Sequence, residues 1–179
     1  MYRITVAIII STILFYSCGT DHNKAHYSNT ITITDINKLE AEIFNTEITT
    51  PDIAKAKHLA ELYIEYAELH PDDSISPDFL FKASDINMNV NSPKLTISLF
   101  NKVLTRYPDY VNVPTVMFLK GFVYEDQLKD YDNARKCYME FLDKYPNSDF
   151  ADDATVSLKN LGKSPEELIK EFETNDGGN

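Results

Sequence analysis

An all-α chain of stacked antiparallel helical hairpins is what this sequence predicts, on three observations. The segments LHPDD, RYPDY and KYPNS each close an apolar-periodic stretch, and their prolines, Pro71, Pro108 and Pro146, lie 37 and 38 residues apart. The stretches before them align in columns: Tyr63, Phe100 and Tyr138; Tyr66, Val103 and Phe141; Leu62, Leu99 and Cys137. The stretches after them repeat too, Pro77-Asp78-Phe79-Leu80-Phe81 matching Pro114-Thr115-Val116-Met117-Phe118 at an offset of 37. A fixed period of this size marks repeated supersecondary units, each burying its apolar face against its neighbours.

The elements follow in order. A helix over about 35–45 pairs with a longer one over 51–69, which Thr50-Pro51 starts. There Leu59, Leu62, Tyr63 and Tyr66 recur at a spacing of three to four and form one apolar stripe. By subtraction Phe44 corresponds to Phe81. The next pair spans 77–89 and 93–106, with Ser92-Pro93 placing a capping hydroxyl before proline. The third spans 114–129 and 132–144. A shorter pair covers 150–161 and 165–173. It is ended and restarted by Gly162 and by Ser164-Pro165-Glu166-Glu167, which reads as a capping box. The acid pairs Asp72-Asp73, Asp152-Asp153 and Glu166-Glu167 fall near helix starts, where carboxylates offset exposed N–H groups. The folded domain is thus expected over 35–173, with a disordered tail over 174–179.

Composition agrees with a packed domain. Of 179 residues 43% are hydrophobic and 12% aromatic, Trp is absent, and only five are glycine. The formal charge of −11 opposes binding to nucleic-acid phosphates. Two cysteines, Cys18 and Cys137, cannot make a disulfide framework.

The N-terminus reads as an address. After Arg3, residues Ile4 to Tyr16 are an apolar run. It is shorter than the about 20 residues that span a bilayer, and it suits the core of a signal peptide covering 1–17. The run ends in Leu14-Phe15-Tyr16-Ser17-Cys18-Gly19, which resembles a bacterial lipobox. That resemblance implies cleavage before Cys18 and a diacylglycerol on its thiol, with palmitate among the acyl chains. Phe15 and Tyr16 depart from the commoner small or aliphatic residues. By that family's sorting rule Gly19, not aspartate, implies the outer membrane; the periplasmic face is expected for the domain, but Gly19 does not decide the leaflet. Residues 18–34 then read as the lipidated cysteine and a polar tether. An ordinary signal peptide with an incidental cysteine is the alternative.

The third unit resembles the tetratricopeptide repeat. It has a small residue, Gly121, then Tyr124, Tyr131, Ala134, Tyr138 and a closing Pro146, with one extra residue between Tyr124 and Tyr131. The unit over 77–108 is more diverged, with Ser84 and Thr96 at the small positions. Units longer than the family's 34 residues, ending in Tyr-Pro, are similar to those of outer-membrane lipoproteins of the BamD and CpoB type. The resemblance implies a TPR-like α-solenoid, a right-handed superhelix of about four hairpins. It also implies a role in binding protein partners, such as an outer-membrane assembly or secretion complex. The family's inner groove carries over to Asp78, Phe81, Asp85 and Met88, then Thr115, Phe118, Phe122 and Glu125. The alternative for Phe81 and Phe118 is simple core packing, with the acids a solvated face.

No catalytic constellation, cofactor site or metal site is expected. Gly-rich phosphate loops, HExxH and CxxC are all missing from the sequence. His22 and His26 stand four apart but in the polar tether; His70 shares a column with Tyr107 and Tyr145 and reads as a hairpin-end residue. Cys137, in the column of Leu62 and Leu99, reads as a small buried hydrophobe rather than a nucleophile. Two other readings stay open: a peptidoglycan- or glycan-associated envelope protein, which needs a pocket of aromatics and carboxylates, and a homo-oligomeric structural lipoprotein.

Overall fold

The structure is a computed structural model that describes residues 31–44 and 52–176. The described residues form helices only: α1 (Ile33–Phe44), α2 (Ile53–Leu69), α3 (Ser76–Asn89), α4 (Pro93–Arg106), α5 (Val113–Phe122), a π-helical turn (Val123–Gln127), α6 (Tyr131–Lys144), α7 (Ala151–Asn160) and α8 (Pro165–Asp176). Helices adjacent in sequence pack in order from α1 to α7, a TPR-like helical solenoid. None of the described helices is long and apolar enough to cross a membrane.

The proline-marked turns repeat in geometry as well as in sequence. His70, Tyr107 and Tyr145 end α2, α4 and α6 with nearly the same backbone, φ −128, −130 and −133 and ψ 58, 60 and 55. Each donates its N–H to a carbonyl of one aligned column, Tyr66, Val103 and Phe141. Asp73, Tyr110 and Ser148 then donate back to those three end residues, at 3.1, 3.0 and 3.1 Å. The prolines cannot continue the helix, and these bonds use the carbonyls it leaves behind.

The one-residue difference between the two repeat spacings has a physical address. Ser84 and Gly121 correspond at an offset of 37, whereas Phe100 and Tyr138 correspond at 38. Between them lies the π-helical turn, closed by the Leu128 N–H on the Val123 carbonyl, five residues back. A π turn is an α-helix with one residue inserted. The extra residue expected in the turn before Tyr131 therefore sits inside the helix end, and α5 stops at Phe122 instead of running to 129. The turns that follow α3, the π segment and α7 each use a left-handed residue: Asn91 (φ 56), Lys129 (φ 53) and Gly162 (φ 81).

Gly121 shows why that column needs a small side chain. A Cβ there would stand 2.6 and 2.7 Å from Tyr138 Cε1 and Cδ1, and the Tyr138 ring is fully buried. The core forms two clusters. The first runs from Ile31 and Ile36 through Leu59, Tyr63, Phe79, Leu80 and Phe100 to Val116 and Val123. The second holds Val113, Met117, Ala134, Tyr138, Phe141 and Ala154. They meet between α4 and α5.

Several boundaries differ from expectation. Helix α1 starts at Ile33, where Thr32 and Asp35 cap each other: Asp35 N–H donates to Thr32 Oγ1 at 3.3 Å and Thr32 N–H to Asp35 Oδ2 at 3.0 Å. Ile31 is buried in the first core, so the domain begins inside the stretch read as tether. Helix α2 is capped by Asp52, which accepts the Lys55 N–H at 3.0 Å; Thr50 and Pro51 lie outside the described residues. Ser92 forms no side-chain cap, its carbonyl taking the Thr96 amide and hydroxyl instead. Phe44 is 73% exposed and so is no counterpart of the packed Phe81. Asp73 lies three residues before α3, near its start as read, and accepts the Ile75 N–H at 3.1 Å and the Tyr66 hydroxyl at 2.7 Å. The last helix reaches Asp176, three residues into the stretch expected to be disordered; 177–179 lie outside the described residues. The capping box at its start forms as read, Glu167 N–H on Ser164 Oγ at 3.2 Å and Ser164 N–H on Glu167 Oε2 at 2.7 Å.

Candidate functional site

The face predicted for binding lies on the first helices of the second and third hairpins, α3 and α5, and on the π turn that follows α5. Its eight residues divide by what already holds them. Asp78 accepts the Tyr110 hydroxyl at 2.6 Å, and the Phe81 ring meets the Tyr110 ring edge-on at 6.4 Å. Burial, with the Asp78 bond, pushes the Tyr110 phenol up to about 12. One turn residue thus brings Asp78 and Phe81 together. Met88 packs on the first core, and its carbonyl takes the Gln127 amide at 3.0 Å. Phe118 belongs to the second core: it stacks on Phe150 at 4.7 Å and 12°, with Tyr138 and Phe141 at 5.8 and 5.9 Å. Glu125 accepts the Tyr138 hydroxyl at 2.7 Å.

That leaves Asp85, Thr115 and Phe122 as groove positions without a core role. Asp85 is exposed, its carbonyl and carboxylate taking the Asn89 amide, and Phe122 is 38% exposed. Thr115 is half-buried beside Pro146, Ser148 and Phe150 in a shallow trough between α5 and the turn after α6.

A second concavity lies elsewhere. Helices α4, α5 and α6 enclose a cleft of about 310 Å³, with Leu104, Val113 and Met117 as apolar wall and Lys120, Glu140 and Lys144 among its polar groups. Cys137 lines it and is a half-buried free thiol, so the expectation that it fills the core is corrected. The physical reason is size. At the same column Leu62 is half-buried and Leu99 1% exposed, and a Cys in the place of Leu99 leaves space unfilled. Burial, opposed by the Lys120 charge, raises the Cys137 pKa, which keeps the thiol protonated and slow to react. The column itself was the signal in the sequence: a two-Leu column ending in Cys.

Tyrosine–carboxylate bonds recur along the stack and were not foreseen. Tyr63 donates to Glu40, which also takes Lys82 Nζ at 2.8 Å. Burial works against the Glu40 charge, but the bonds from Lys82 and Tyr63 outweigh it and hold its carboxyl below the ordinary range. Burial and the Glu40 bond push the Tyr63 phenol well up. These bonds join helices and leave the carboxylates spread along the stack.

Cys18, His22 and His26 lie outside the described residues. Among curated proteins no match was found. Residues 115–148, from the groove position Thr115 through the π turn to the turn after α6, match the family model of the tetratricopeptide repeat.

Proposed function

We propose that this chain is a membrane-anchored scaffold or adaptor of a bacterial envelope, holding a protein partner against its helical stack. The observation that carries the reading is the tetratricopeptide repeat at 115–148, set among hairpins of the same turn geometry. Repeats of this kind are protein-interaction modules, and stacked hairpins offer an extended surface for a peptide or helix. The apolar run ending at Ser17-Cys18-Gly19 supports a lipid anchor on Cys18. Gly19 after the cysteine, together with the long Tyr-Pro repeats, supports an outer-membrane lipoprotein of the BamD or CpoB kind serving an assembly or secretion complex.

Two experiments test it. Growth with labelled palmitate should mark the wild-type chain and leave Cys18→Ala unmarked; equal labelling ends the anchor reading. Affinity capture from detergent-solubilised envelope should recover a defined partner complex, and Asp85→Lys with Phe122→Ala should reduce that recovery about tenfold or more, as loss of interface anchors does. These positions are preferable to Asp78, whose replacement would also break the Tyr110 bond. Undiminished recovery would remove the groove from the proposal, and recovery of the chain by itself would end the adaptor reading.

A further inference from the structure

The cleft between α4, α5 and α6 and the last helix, α8, are complementary in charge and in apolar character. Lys120 stands at the cleft beside the apolar wall of Leu104, Val113 and Met117, and no described carboxylate pairs with it. Lys144, also at the cleft, is held by Glu140 on its own helix at 2.7 Å.

Helix α8 has the opposite character. Its sequence PEELIKEFETND carries five carboxylates and one lysine. No described residue of α8 is buried, and Ile169 is 58% exposed. Glu167 is committed to the Ser164 cap and Glu171 to Lys163 at 2.7 Å. Glu166, Ile169 and Glu173 recur at three- and four-residue spacing, so they share one face: an apolar side chain between two exposed acids.

We propose that α8 of a second copy of this chain docks at the cleft, Ile169 entering against Leu104, Val113 and Met117, and a carboxylate of the Glu166–Glu173 face pairing with Lys120. The docking is between molecules because α6 presents opposite business to its two sides. Cys137, Glu140 and Lys144 line the cleft, while Ala134, Tyr138 and Phe141 pack in the core that α7, leading to α8, shares. The two surfaces in contact are different, so the association is head-to-tail, and a pair keeps an unused cleft on one copy and an unused helix on the other.

The test uses the full chain in mild detergent, followed by sedimentation velocity over a concentration series, with circular dichroism confirming that each variant keeps its helical content and melting. Wild type is expected to associate progressively and to weaken with added salt. Lys120→Glu damages only the cleft, and Ile169→Asp damages only the helix; each is expected to weaken association about tenfold or more. The two variants mixed one to one should form pairs and nothing larger, because each supplies the surface that the other lacks. Cys137 supplies a second readout: its maleimide labelling, read at the peptide level, should slow about tenfold as wild type associates and stay constant in Ile169→Asp. Wild type that remains single at every concentration, variants that associate like wild type, or a mixture that fails to pair would each overturn the proposal.

Discussion

The junction between the first and second hairpins and the junction between the second and third are built from the same columns, yet one is sealed and the other is open. At the first, Tyr63 and Tyr66 close on Phe79 at 4.9 and 5.1 Å, and Lys82 lies over Tyr63 and Phe79 while bonding Glu40. On the outer side Glu68 takes both Lys102 and Arg106, and Tyr107 donates to the Pro71 carbonyl at 2.9 Å. At the second, two polar bonds cross from turn to helix, Tyr110 to Asp78 and Gln127 to the Met88 carbonyl, and the outer side holds the cleft. The difference traces to one column, Leu99 on α4 against Cys137 on α6. A repeat therefore fixes the path of the chain, while the volume of single side chains decides whether a junction is tight.

The largest test of this contrast is truncation on either side of it. Phe79→Ala, in the sealed junction, should cost about 3–5 kcal/mol in denaturant unfolding. Met117→Ala, on a wall that already borders a cavity, should cost less than about 2 kcal/mol, since fewer contacts are lost. Equal costs would show that the two junctions are packed alike. Next is Gly121→Ala, which gains helix propensity but drives a methyl into a fully buried ring; a net loss of about 1–3 kcal/mol is expected, read as a lower melting temperature. A gain would mean that Tyr138 can move aside.

Filling the open junction should do the reverse. Cys137→Leu restores the residue of the other two repeats and is expected to add about 0.5–2 kcal/mol by occupying the cleft. The smallest effect comes from acid. The Glu68 carboxyl is held low by its bonds to Lys102 and Arg106, against burial, and Asp73 by its bonds to Tyr66 and Ile75; Glu40 is lowered as described. A lowered folded-state pKa gives stability that is complete above the ordinary carboxylate value, about 4, and is lost as pH falls through the folded value. All three groups serve the first junction or the turn beside it. Below about pH 4, hydrogen exchange in α1–α3 should therefore quicken, together with exchange in the first turn of α6, where bonds from Asn133 hold the Asp130 cap low, and before exchange in α5.

Much of the stack was readable because proline and apolar spacing are local signals. The bounds of α4 came out as read, and those of α3 and α6 within one residue, since a proline or a repeated column sits at each end. The start of α2 was misplaced because Thr50-Pro51 and Asp52 both offer plausible starts, and only the folded backbone shows Asp52 receiving the Lys55 amide. The groove was readable by position but not by availability. Nothing in the sequence says that Tyr110 will recruit Asp78 and Phe81, or that Phe118 will stack on Phe150 of the next hairpin. The cleft depends on what Cys137 leaves empty, and an unfilled volume becomes visible only when its walls are assembled.

The π turn at Val123–Gln127 has a consequence for how this molecule can change its length. One residue inserted into an α-helix swings everything after it by about 100° around the axis, enough to carry a core side chain into water. Here the added residue is absorbed within a single turn, so Gly121 before it and Tyr138 after it still meet face to face. The end of α5 is thereby a slack point, where the gene can gain or lose a codon without dislocating the repeats on either side.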